Sequence, residues 1–366
     1  MTENTETRTS PAAGVLIVGG SLGGLTTALA LAKDGVSSTV LERTNGRTQR
    51  GVAIRVAGGD LSRTLGPDAR AIVAEALGAE SMAQGWLPHA WWNVYSALRA
   101  AAEAEPSITL VDGAHVVEVG QTDAAAWARG EQGRTWEAPL LVGADGYRSA
   151  TRRHVDEHRP DADYAGYVVW LGQSDIPERW IGRVGGPDFM GGRGDEMLAV
   201  YPLIEADGSV HRFGWGIFDP TRSALLRRIG AVDGTVVRHT PRSADIPDGT
   251  YEALARTAES RWPEPWSTPI AAALRAHEAI ATPITEYLPD RVVDGRVALV
   301  GDAAHAQTPM TGAGFDEAVD DAHAIAEAVR RLGVEPAAFE AYELSRLADM
   351  RRGVSGGQSF SRSFAA

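Results

Sequence analysis

The sequence predicts an α/β fold in which a Rossmann-like nucleotide-binding domain is interrupted by a β-sheet-rich domain. The prediction rests on a strand–glycine–helix–strand unit near the N-terminus, a middle region rich in β-branched and aromatic residues, and a second strand–helix unit near the C-terminus. We expect the nucleotide-binding domain to comprise residues 12–159 and 282–352 and the inserted domain residues 160–281. Residues 1–11 and 353–366 are expected to be tails.

Composition restricts the class of protein. The chain has 366 residues, of which 44% are hydrophobic and 23% charged, as in a globular protein of about two domains. A net charge of −13 argues against a nucleic-acid partner. The absence of cysteine excludes disulfides, thiolate nucleophiles and cysteine-based metal sites, and we expect no metal site. The N-terminus does not resemble a signal peptide and no apolar run is long enough to span a membrane, so we expect a cytoplasmic protein without membrane association. We expect a monomer or homodimer.

The first unit begins with residues 14–18, a short apolar run typical of a buried strand. A glycine cluster and an alanine- and leucine-rich helix at about residues 25–34 follow, and Gly35 ends the helix. A second strand is predicted at residues 38–41. Because the strands are joined through a helix, the unit predicts a βαβ crossover with parallel strands.

The first motif lies between that strand and helix and reads Gly19-x-Ser21-x-x-Gly24, with Leu22 inside it. Gly19 permits a tight turn, a small residue at position 21 lets the backbone approach a pyrophosphate, and Gly24 allows close helix–strand packing. The helix N-terminus supplies free N–H groups for phosphates. Glu42, at the end of the second strand, can accept hydrogen bonds from ribose hydroxyls. The pattern predicts dinucleotide binding, with an ordinary glycine-rich turn as the alternative.

The middle region differs in composition. Residues 164–172, 198–204 and 210–218 are rich in β-branched and aromatic residues, and an Asp-Gly pair at 207–208 predicts a hairpin between the last two. These patterns predict an antiparallel sheet. The glycine-rich loop at residues 181–194 could be a mobile lid, but an irregular connection is the simpler interpretation.

The second motif, GADGYRSATR, occupies residues 143–152 directly after the apolar residues 140–142. Its Asp-Gly pair at Asp145 also fits a strand followed by an ordinary turn. The third motif, GDAAHAQTPMTGAGFDEAVDDA, occupies residues 301–322 after a buried strand at 296–300. Because this third pattern is so extended, an ordinary glycine-rich helix cap is a poor explanation for it.

The third motif places an acid at a strand end and glycines before a helix predicted at about residues 315–331. A carboxylate at such a strand end can accept hydrogen bonds from a polyol chain. Backbone amides that open a helix can hold a pyrimidine carbonyl or a delocalised anion. The residues that this pattern assigns to cofactor binding are Gly301, Asp302, Gly312, Ala313 and Gly314.

Together the three motifs resemble the class A flavoprotein monooxygenases, the para-hydroxybenzoate hydroxylase-like family. The resemblance covers about residues 14–350, and VGGSLGGL, YAGYVVWLG and YPLIEADGS resemble the 2,6-dihydroxypyridine hydroxylase-like branch. It implies bound FAD, NAD(P)H as a transient co-substrate, and O2. It also implies hydroxylation or epoxidation of a small aromatic or polyketide-like substrate through a C4a-hydroperoxyflavin, with the inserted domain as the substrate domain.

The resemblance also implies roles for single residues. Glu42 would bind the adenosine ribose, and Arg43 would lie near the adenine or the phosphates. Asp145 is tied to FAD and to transient nicotinamide binding, and Asp302 would hold the ribityl chain. Pro309 would lie beside the flavin ring near the carbon that reacts with oxygen.

Residues 312–314 would face the pyrimidine edge of the flavin. Three positions depart from the pattern. Ser21 replaces the central glycine, as is common in the dihydroxypyridine hydroxylase-like branch. Leu171 stands where that branch usually has arginine, which leaves the substrate open, and Asp316 stands where many relatives have asparagine, which leaves one contact on the flavin side open.

No residue can be assigned as a catalytic base from the sequence. The candidates are His305, Pro309, His211 and Tyr201; for the two histidines and the tyrosine a structural role is the simpler interpretation.

Two other functions fit the same motifs. One is an FAD-dependent reductase or oxidase without oxygen transfer, and the other is a non-catalytic flavin-binding redox or ligand sensor.

Overall fold

The computed structural model describes residues 14–46, 53–83, 87–191 and 196–365. The predicted N-terminal tail, residues 1–11, and the end of the loop predicted at 181–194 lie outside the described residues.

The strands, in chain order, are β1 Val15–Val18, β2 Ser38–Glu42, β3 Ala53–Val56, β4 Leu87–Ala90, β5 Ile108–Asp112, β6 Val116–Gln121, β7 Ala126–Gly130, β8 Thr135–Ala138, β9 Leu140–Gly143, β10 Asp163–Asp175, β11 Asp188–Met190, β12 Met197–Leu203, β13 Arg212–Asp219, β14 Val232–Asp233, β15 Val236–Val237, β16 Ile280–Glu286, β17 Val293–Asp294 and β18 Val297–Leu299.

The helices are α1 Leu22–Lys33, α2 Gly58–Thr64, α3 Pro67–Leu77, α4 Ala79–Ala83, α5 Trp91–Ala104, α6 Ala150–Val155, α7 Ser223–Arg228, α8 Asp248–Arg261, α9 Ser267–Arg275, α10 Asp302–His305, α11 Gly314–Leu332 and α12 Pro336–Phe364.

The predicted βαβ unit is confirmed, and it belongs to a sheet with the strand order β17-β18-β9-β1-β2-β5. β1 is buried along its whole length and pairs in parallel with β2 and β9. β18 continues the parallel pairing beyond β9. Strands buried on both faces are apolar throughout, which explains why residues 14–18 and 296–300 are recognisable in the sequence.

The middle region forms the expected antiparallel sheet. β10 pairs with β13 and β16, and β12 pairs with β13. Side chains along β10 alternate between the two faces: Val168 and Trp170 pack in one core with α8 and α9, whereas Tyr167 and Val169 pack in another cluster on the opposite face. The fold class predicted from the sequence, a Rossmann-like domain interrupted by a β-sheet-rich domain, is therefore confirmed.

The boundary at residue 281 needs correction. β16 pairs with β10 as far as Glu286, opposite Asp163, so the antiparallel sheet includes residues beyond 281. The sequence alone does not show this, because β16 pairs with a strand that lies more than a hundred residues earlier in the chain. Separate cores, one drawn from residues 15–155 and 292–350 and one from residues 168–281, support the division into two domains.

The predicted C-terminal tail also needs correction. Residues 353–364 continue helix α12 as an ordered part of the fold. Phe364 packs edge-to-face on Tyr167 with 5.4 Å between ring centroids, and Gly357 lies against Thr308. The sequence does not predict a helix at residues 353–364, because glycines and serines interrupt its apolar pattern. It connects the third motif with the antiparallel sheet.

Within the described residues, none of the helices combines the length and the apolar character that crossing a membrane would require.

We expect Gly172→Ala to destabilise the antiparallel sheet by about 2 kcal/mol, as overpacking typically does. A Cβ atom at Gly172 would lie 2.1 Å from the ring of Trp215, which is buried and donates a 3.0 Å hydrogen bond to Ser174. Thermal unfolding followed by circular dichroism measures the effect. The control is Gly249→Ala in α8, where a Cβ meets open space, and equal stability of both variants would contradict this packing argument.

Candidate active site

The register of the parallel sheet brings the three motifs together. Val18 of β1 lies opposite Gly143 of β9, and Leu299 of β18 pairs with Gly143 from the other side. The loops that follow these strands therefore leave the sheet at one edge, as expected for carboxyl ends of parallel strands.

A cavity of about 360 Å³ lies at that edge. All three motifs contribute to its wall, together with residues of β3 and α5. The lining residues are Ser21, Leu22, Gly23, Ala53, Ile54, Arg55, Trp91, Ala144, Gly146, Val300, Gly301, Asp302, Gln307, Thr308, Pro309, Gly312, Gly314, Phe315 and Ala318.

The glycines of the first motif are required by close backbone approach. Gly19 has φ +108°, and a Cβ there would lie 2.3 Å from the carbonyl oxygen of Ala144. A Cβ at Gly24 would lie 1.9 Å from the carbonyl oxygen of Gly19. The turn therefore keeps strand and helix in contact, and Ser21 and Leu22 reach the cavity at the start of α1. The N–H groups and dipole of this helix end favour an anionic group.

Glu42 is buried at the end of β2. One carboxylate oxygen accepts a 2.9 Å hydrogen bond from the amide of Gly20, and the other accepts from the amide and hydroxyl of Thr44. It thus fastens the glycine turn to the neighbouring strand. Arg43 is exposed. The proposed adenosine contacts of both residues stay predictions.

Asp145 organises the second motif. It accepts hydrogen bonds from the Ser149 hydroxyl at 2.5 Å and from the amide and hydroxyl of Thr151 at 3.1 and 3.2 Å. These bonds hold the loop at the start of α6, and the neighbours of Asp145, Ala144 and Gly146, line the cavity. The carboxylate shapes the wall, and its contact with FAD or nicotinamide stays a prediction.

Arg152 links the second and third motifs, a role that the sequence did not reveal. Its guanidinium is fully buried and donates hydrogen bonds to the carbonyls of Pro160 and Ala303, each at 3.1 Å. It lies over the ring of Tyr287, 4.5 Å from the centroid. Burial lowers the pKa of Arg152, but a guanidinium keeps its charge in proteins. Ala303 lies 151 residues from Arg152 in the chain, so only the fold shows this contact.

The third motif supplies the most polar part of the wall. Asp302 starts α10 and faces the cavity. Burial among the surrounding protein atoms raises the pKa of its carboxyl. Pro309 and Gly312 belong to the next turn, where Gly312 adopts the left-handed conformation with φ +61°. Gly314 opens the long helix α11 at the cavity, with Ala313 as its N-cap. The predicted cofactor residues of this motif therefore lie together.

Gln307 is a second residue that the sequence did not single out. It lines the cavity, and both its carboxamide oxygen and nitrogen are buried without a hydrogen-bond partner among the described residues. Buried polar groups are nearly always paired in proteins. A ligand with both a donor and an acceptor would satisfy this side chain, which is an observation in favour of a bound flavin or substrate.

Arg55 lines the cavity from β3 and is paired with Asp316 at the start of α11. The Asp316 carboxylate accepts a 2.7 Å hydrogen bond from Arg55 Nε and a 2.9 Å hydrogen bond from the amide of Ala57. Asp316, the departure noted in the sequence, therefore fastens β3 to the start of α11. The sequence does not predict this contact, because Arg55 and Asp316 are 261 residues apart in the chain.

His305 lies behind the cavity wall and is not one of its lining residues. Its Nε2 is 2.6 Å from Asp321, which also accepts hydrogen bonds from the amide of Gly301 and from Arg346 Nε, each at 3.0 Å. Burial acts to lower the pKa of His305, but the carboxylates of Asp321, Glu317 and Asp302 together outweigh burial and raise it. This network gives His305 a positioning role for the third motif.

The remaining candidates lie on the antiparallel sheet. Tyr201 of β12 is half-buried in the cluster that contains Tyr167 and Met310. His211 is exposed and precedes β13, at the opposite end of that strand from Phe218 of the same cluster. The structure thus places Tyr201 in the same apolar cluster as Met310 of the third motif and leaves His211 outside that cluster.

The arrangement suits an extended flavin nucleotide. Two helix N-termini can face anionic groups, Asp302 can accept hydrogen bonds from a polyol, and Leu22, Trp91 and Phe315 supply apolar walls. Among the described residues, no group of three or more histidine, aspartate or glutamate side chains is placed to hold a metal ion.

Comparisons with known proteins agree with this geometry. A family model described as an FAD binding domain matches residues 12–87 and 59–347. Aurachin C monooxygenase/isomerase of Stigmatella aurantiaca is 30% identical over 91% of this chain and 85% of the relative. FAD-dependent urate hydroxylase of Klebsiella pneumoniae is 28% identical over 90% of this chain and 85% of the relative. A solved structure, that of 2,6-dihydroxypyridine-3-hydroxylase from Arthrobacter nicotinovorans, is 22% identical to this chain. The match covers 97% of this chain and 94% of the hydroxylase chain, with a TM-score of 0.75.

We expect Asp302→Ala to lose most of its bound FAD, because the carboxylate is the acidic side chain that faces the cavity from the third motif. A loss of about 2 kcal/mol, typical of a hydrogen bond to a charged group, would weaken binding roughly thirtyfold. Flavin absorbance per protein after desalting measures it. The exposed Asp123→Ala is the control, and a fully yellow Asp302→Ala protein would contradict the assignment.

We expect His305→Gln to destabilise the protein by about 3 kcal/mol near pH 6, because it leaves Asp321 with one cationic partner fewer. The folded-state pKa of His305 lies above its unfolded value, so this stabilisation is complete below about pH 6.5 and is lost as the pH rises through the folded value. Urea unfolding at several pH values measures the difference. The exposed His323→Gln on the same helix as Asp321 is the control, and a difference that grows with pH would refute the charged pair.

Proposed function

Because this chain belongs to the class A FAD-dependent monooxygenases, we propose that it uses NAD(P)H and O2 to hydroxylate or epoxidise a small, uncharged aromatic or polyketide-like molecule. The observation that carries the proposal is the convergence of three strand-end motifs on one cavity, beside the apolar face of the antiparallel sheet.

The alternatives receive less support. A reductase or oxidase without oxygen transfer and a flavin-binding sensor would use the same FAD cavity. The similar proteins carry the names monooxygenase or hydroxylase, including aurachin C monooxygenase/isomerase and urate hydroxylase. We therefore place oxygen transfer first. The branch of the family, a cytoplasmic location and a monomeric or homodimeric state stay predictions from the sequence.

Bound FAD would accept a hydride from NAD(P)H and activate O2, so the difficult redox chemistry belongs to the cofactor. The chain provides binding and orientation. The amides at the start of α1 would hold the pyrophosphate, Glu42 the ribose and Asp302 the ribityl chain. The amides of residues 312–314 would face the pyrimidine edge, where delocalised negative charge needs donors.

The antiparallel sheet would hold the substrate. Its face beside the third motif is built from apolar and aromatic side chains, which would also exclude water from the reacting oxygen. The described members of this face are Ala165, Tyr167, Val169, Leu171, Met197, Ala199, Tyr201, Phe218 and Ile284, with Met310, Phe360, Phe364 and Ala365 packed against them.

Tyr201 is the candidate for orienting the substrate. Its ring packs edge-to-face on Phe189 with 5.8 Å between centroids. Burial raises the pKa of Tyr201 to about 12, so the hydroxyl would remain a neutral hydrogen-bond donor at neutral pH. This protonation state favours a role as a donor to a substrate carbonyl or phenol oxygen over a role as a base.

The test is turnover of the purified FAD-loaded protein. We expect some uncharged aromatic compounds in a panel to accelerate NADH or NADPH oxidation and to gain one oxygen atom from isotopically labelled O2, detected by mass spectrometry. NAD(P)H consumption that yields only hydrogen peroxide would support the reductase or oxidase alternative. Yellow protein that NAD(P)H does not reduce would support the sensor.

We expect Leu171→Arg to shift the preference toward carboxylated aromatics by at least about tenfold in the ratio of kcat/KM values. Leu171 lies in the apolar face where relatives of the dihydroxypyridine branch usually have arginine. Parallel kinetics with a neutral compound and its carboxylated analogue measure the ratio. The exposed Leu344→Arg is the control, and an unchanged ratio in Leu171→Arg would place the substrate elsewhere.

A further inference from the structure

The cavity wall carries two charged side chains of opposite sign. Among the described lining residues, Asp302 is the one acid and Arg55 of β3 is the one base. The Arg55 side chain keeps 33% of its surface exposed, although its guanidinium is paired with Asp316 of α11. An enclosed site screens charges less than bulk water does, so a cation on its wall acts on any charge that forms inside. Arg55 is therefore a candidate for a role that the proposed mechanism does not yet use.

Arg55 lies at the part of the third motif that the proposed mechanism assigns to the flavin ring. Its Cδ atom is 4.0 Å from the position that a Cβ atom on Gly312 would occupy. Gly312 and Gly314 line the same cavity, and Gly314 opens α11. The positive charge of Arg55 thus lies beside the N-terminus of this helix, and both favour an anion at that place.

Asp316 limits how much of this positive charge acts on the cavity. Its carboxylate accepts hydrogen bonds from Arg55 Nε at 2.7 Å and from the Ala57 amide at 2.9 Å, and 14% of its side chain is exposed. Burial raises the pKa of Asp316, whereas the Ala57 amide and Arg55 act to lower it. Because a carboxylate cancels part of the field of its cationic partner, the two residues act on the cavity with opposite sign.

We propose that Arg55 and Asp316 form an opposed pair that sets the reduction potential of the bound FAD. This inference rests on the proposed function, in which NAD(P)H reduces the flavin. A hydride from NAD(P)H carries two electrons and one proton, so reduction adds one negative charge to the ring. Arg55 favours that charge and Asp316 opposes it. Neither residue exchanges a proton or an electron, so the pair acts through its charges alone.

A purely structural role of the same pair predicts a different result. The Arg55–Asp316 hydrogen bond fastens β3 to α11, and its loss would weaken the binding of oxidised and reduced FAD alike. The potential depends on the ratio of these two dissociation constants, so it would not change. Loss of either partner breaks the same hydrogen bond, so a structural role gives no reason for effects of opposite sign.

The experiment measures the reduction potential of the FAD-loaded protein by anaerobic titration with dithionite and a reference dye, without substrate. We expect Arg55→Gln to disfavour reduction about tenfold, which lowers the potential of a two-electron couple by about 30 mV. Asp316→Asn, which keeps the shape of the side chain, should favour reduction about tenfold and raise the potential by about 30 mV. Arg55→Lys should lie between wild type and Arg55→Gln, because it keeps the charge but not the planar guanidinium contact.

The matched controls are Arg99→Gln and Asp112→Asn. Arg99 donates two hydrogen bonds to Asp112, at 2.9 and 2.8 Å, and neither residue lines the cavity, so both variants should keep the wild-type potential. Shifts of the same sign in Arg55→Gln and Asp316→Asn, or an unchanged potential in either, would overturn the proposal. If Arg55→Gln does not retain FAD, the sign of the shift in Asp316→Asn decides alone. If no compound in the panel is oxygenated, the proposed function fails while the potentials still test the pair.

Discussion

The register of the parallel sheet is the constraint on which the site depends. The pairing of Val18 with Gly143 and of Gly143 with Leu299 fixes three strand ends side by side. Since every strand in this group runs in the same direction, the loops that follow have only one edge from which to leave. The glycine turn, the Asp-Gly loop and the Gly-Asp turn therefore meet although they are separated by more than a hundred residues along the chain.

Buried charges then fix the loops relative to one another. Arg152 donates hydrogen bonds to one carbonyl in the second motif and one in the third. Asp321 is bonded to the amide of Gly301, to His305 and to Arg346. Such buried networks are unfavourable unless every member is paired, and they tolerate few alternative arrangements. In this chain they hold the cofactor loops in place from behind. The cavity side thus remains available to a ligand.

The second domain is attached through hydrogen bonds and packing beside the third motif. The Tyr167–Thr308 hydrogen bond joins the antiparallel sheet to the turn before Pro309, and Ser361 joins the same sheet to α12. The C-terminal half of α12 thereby packs against both the turn before Pro309 and the antiparallel sheet. One helix thus contacts both the third motif and the antiparallel sheet, so it helps to fix the relative position of the two domains.

The sequence by itself determined the fold class, the βαβ unit and the residues at the three strand ends, because buried strands, tight turns and close packing each demand particular residue types within a short segment. Gly19 and Gly24 are examples, since any side chain there would meet backbone oxygen. It did not reveal the Arg55–Asp316 pair, the buried partners of Arg152 and His305, or the role of residues 353–364. Those features were decided only by tertiary structure, because a hydrogen bond across 261 residues leaves no local pattern in the chain.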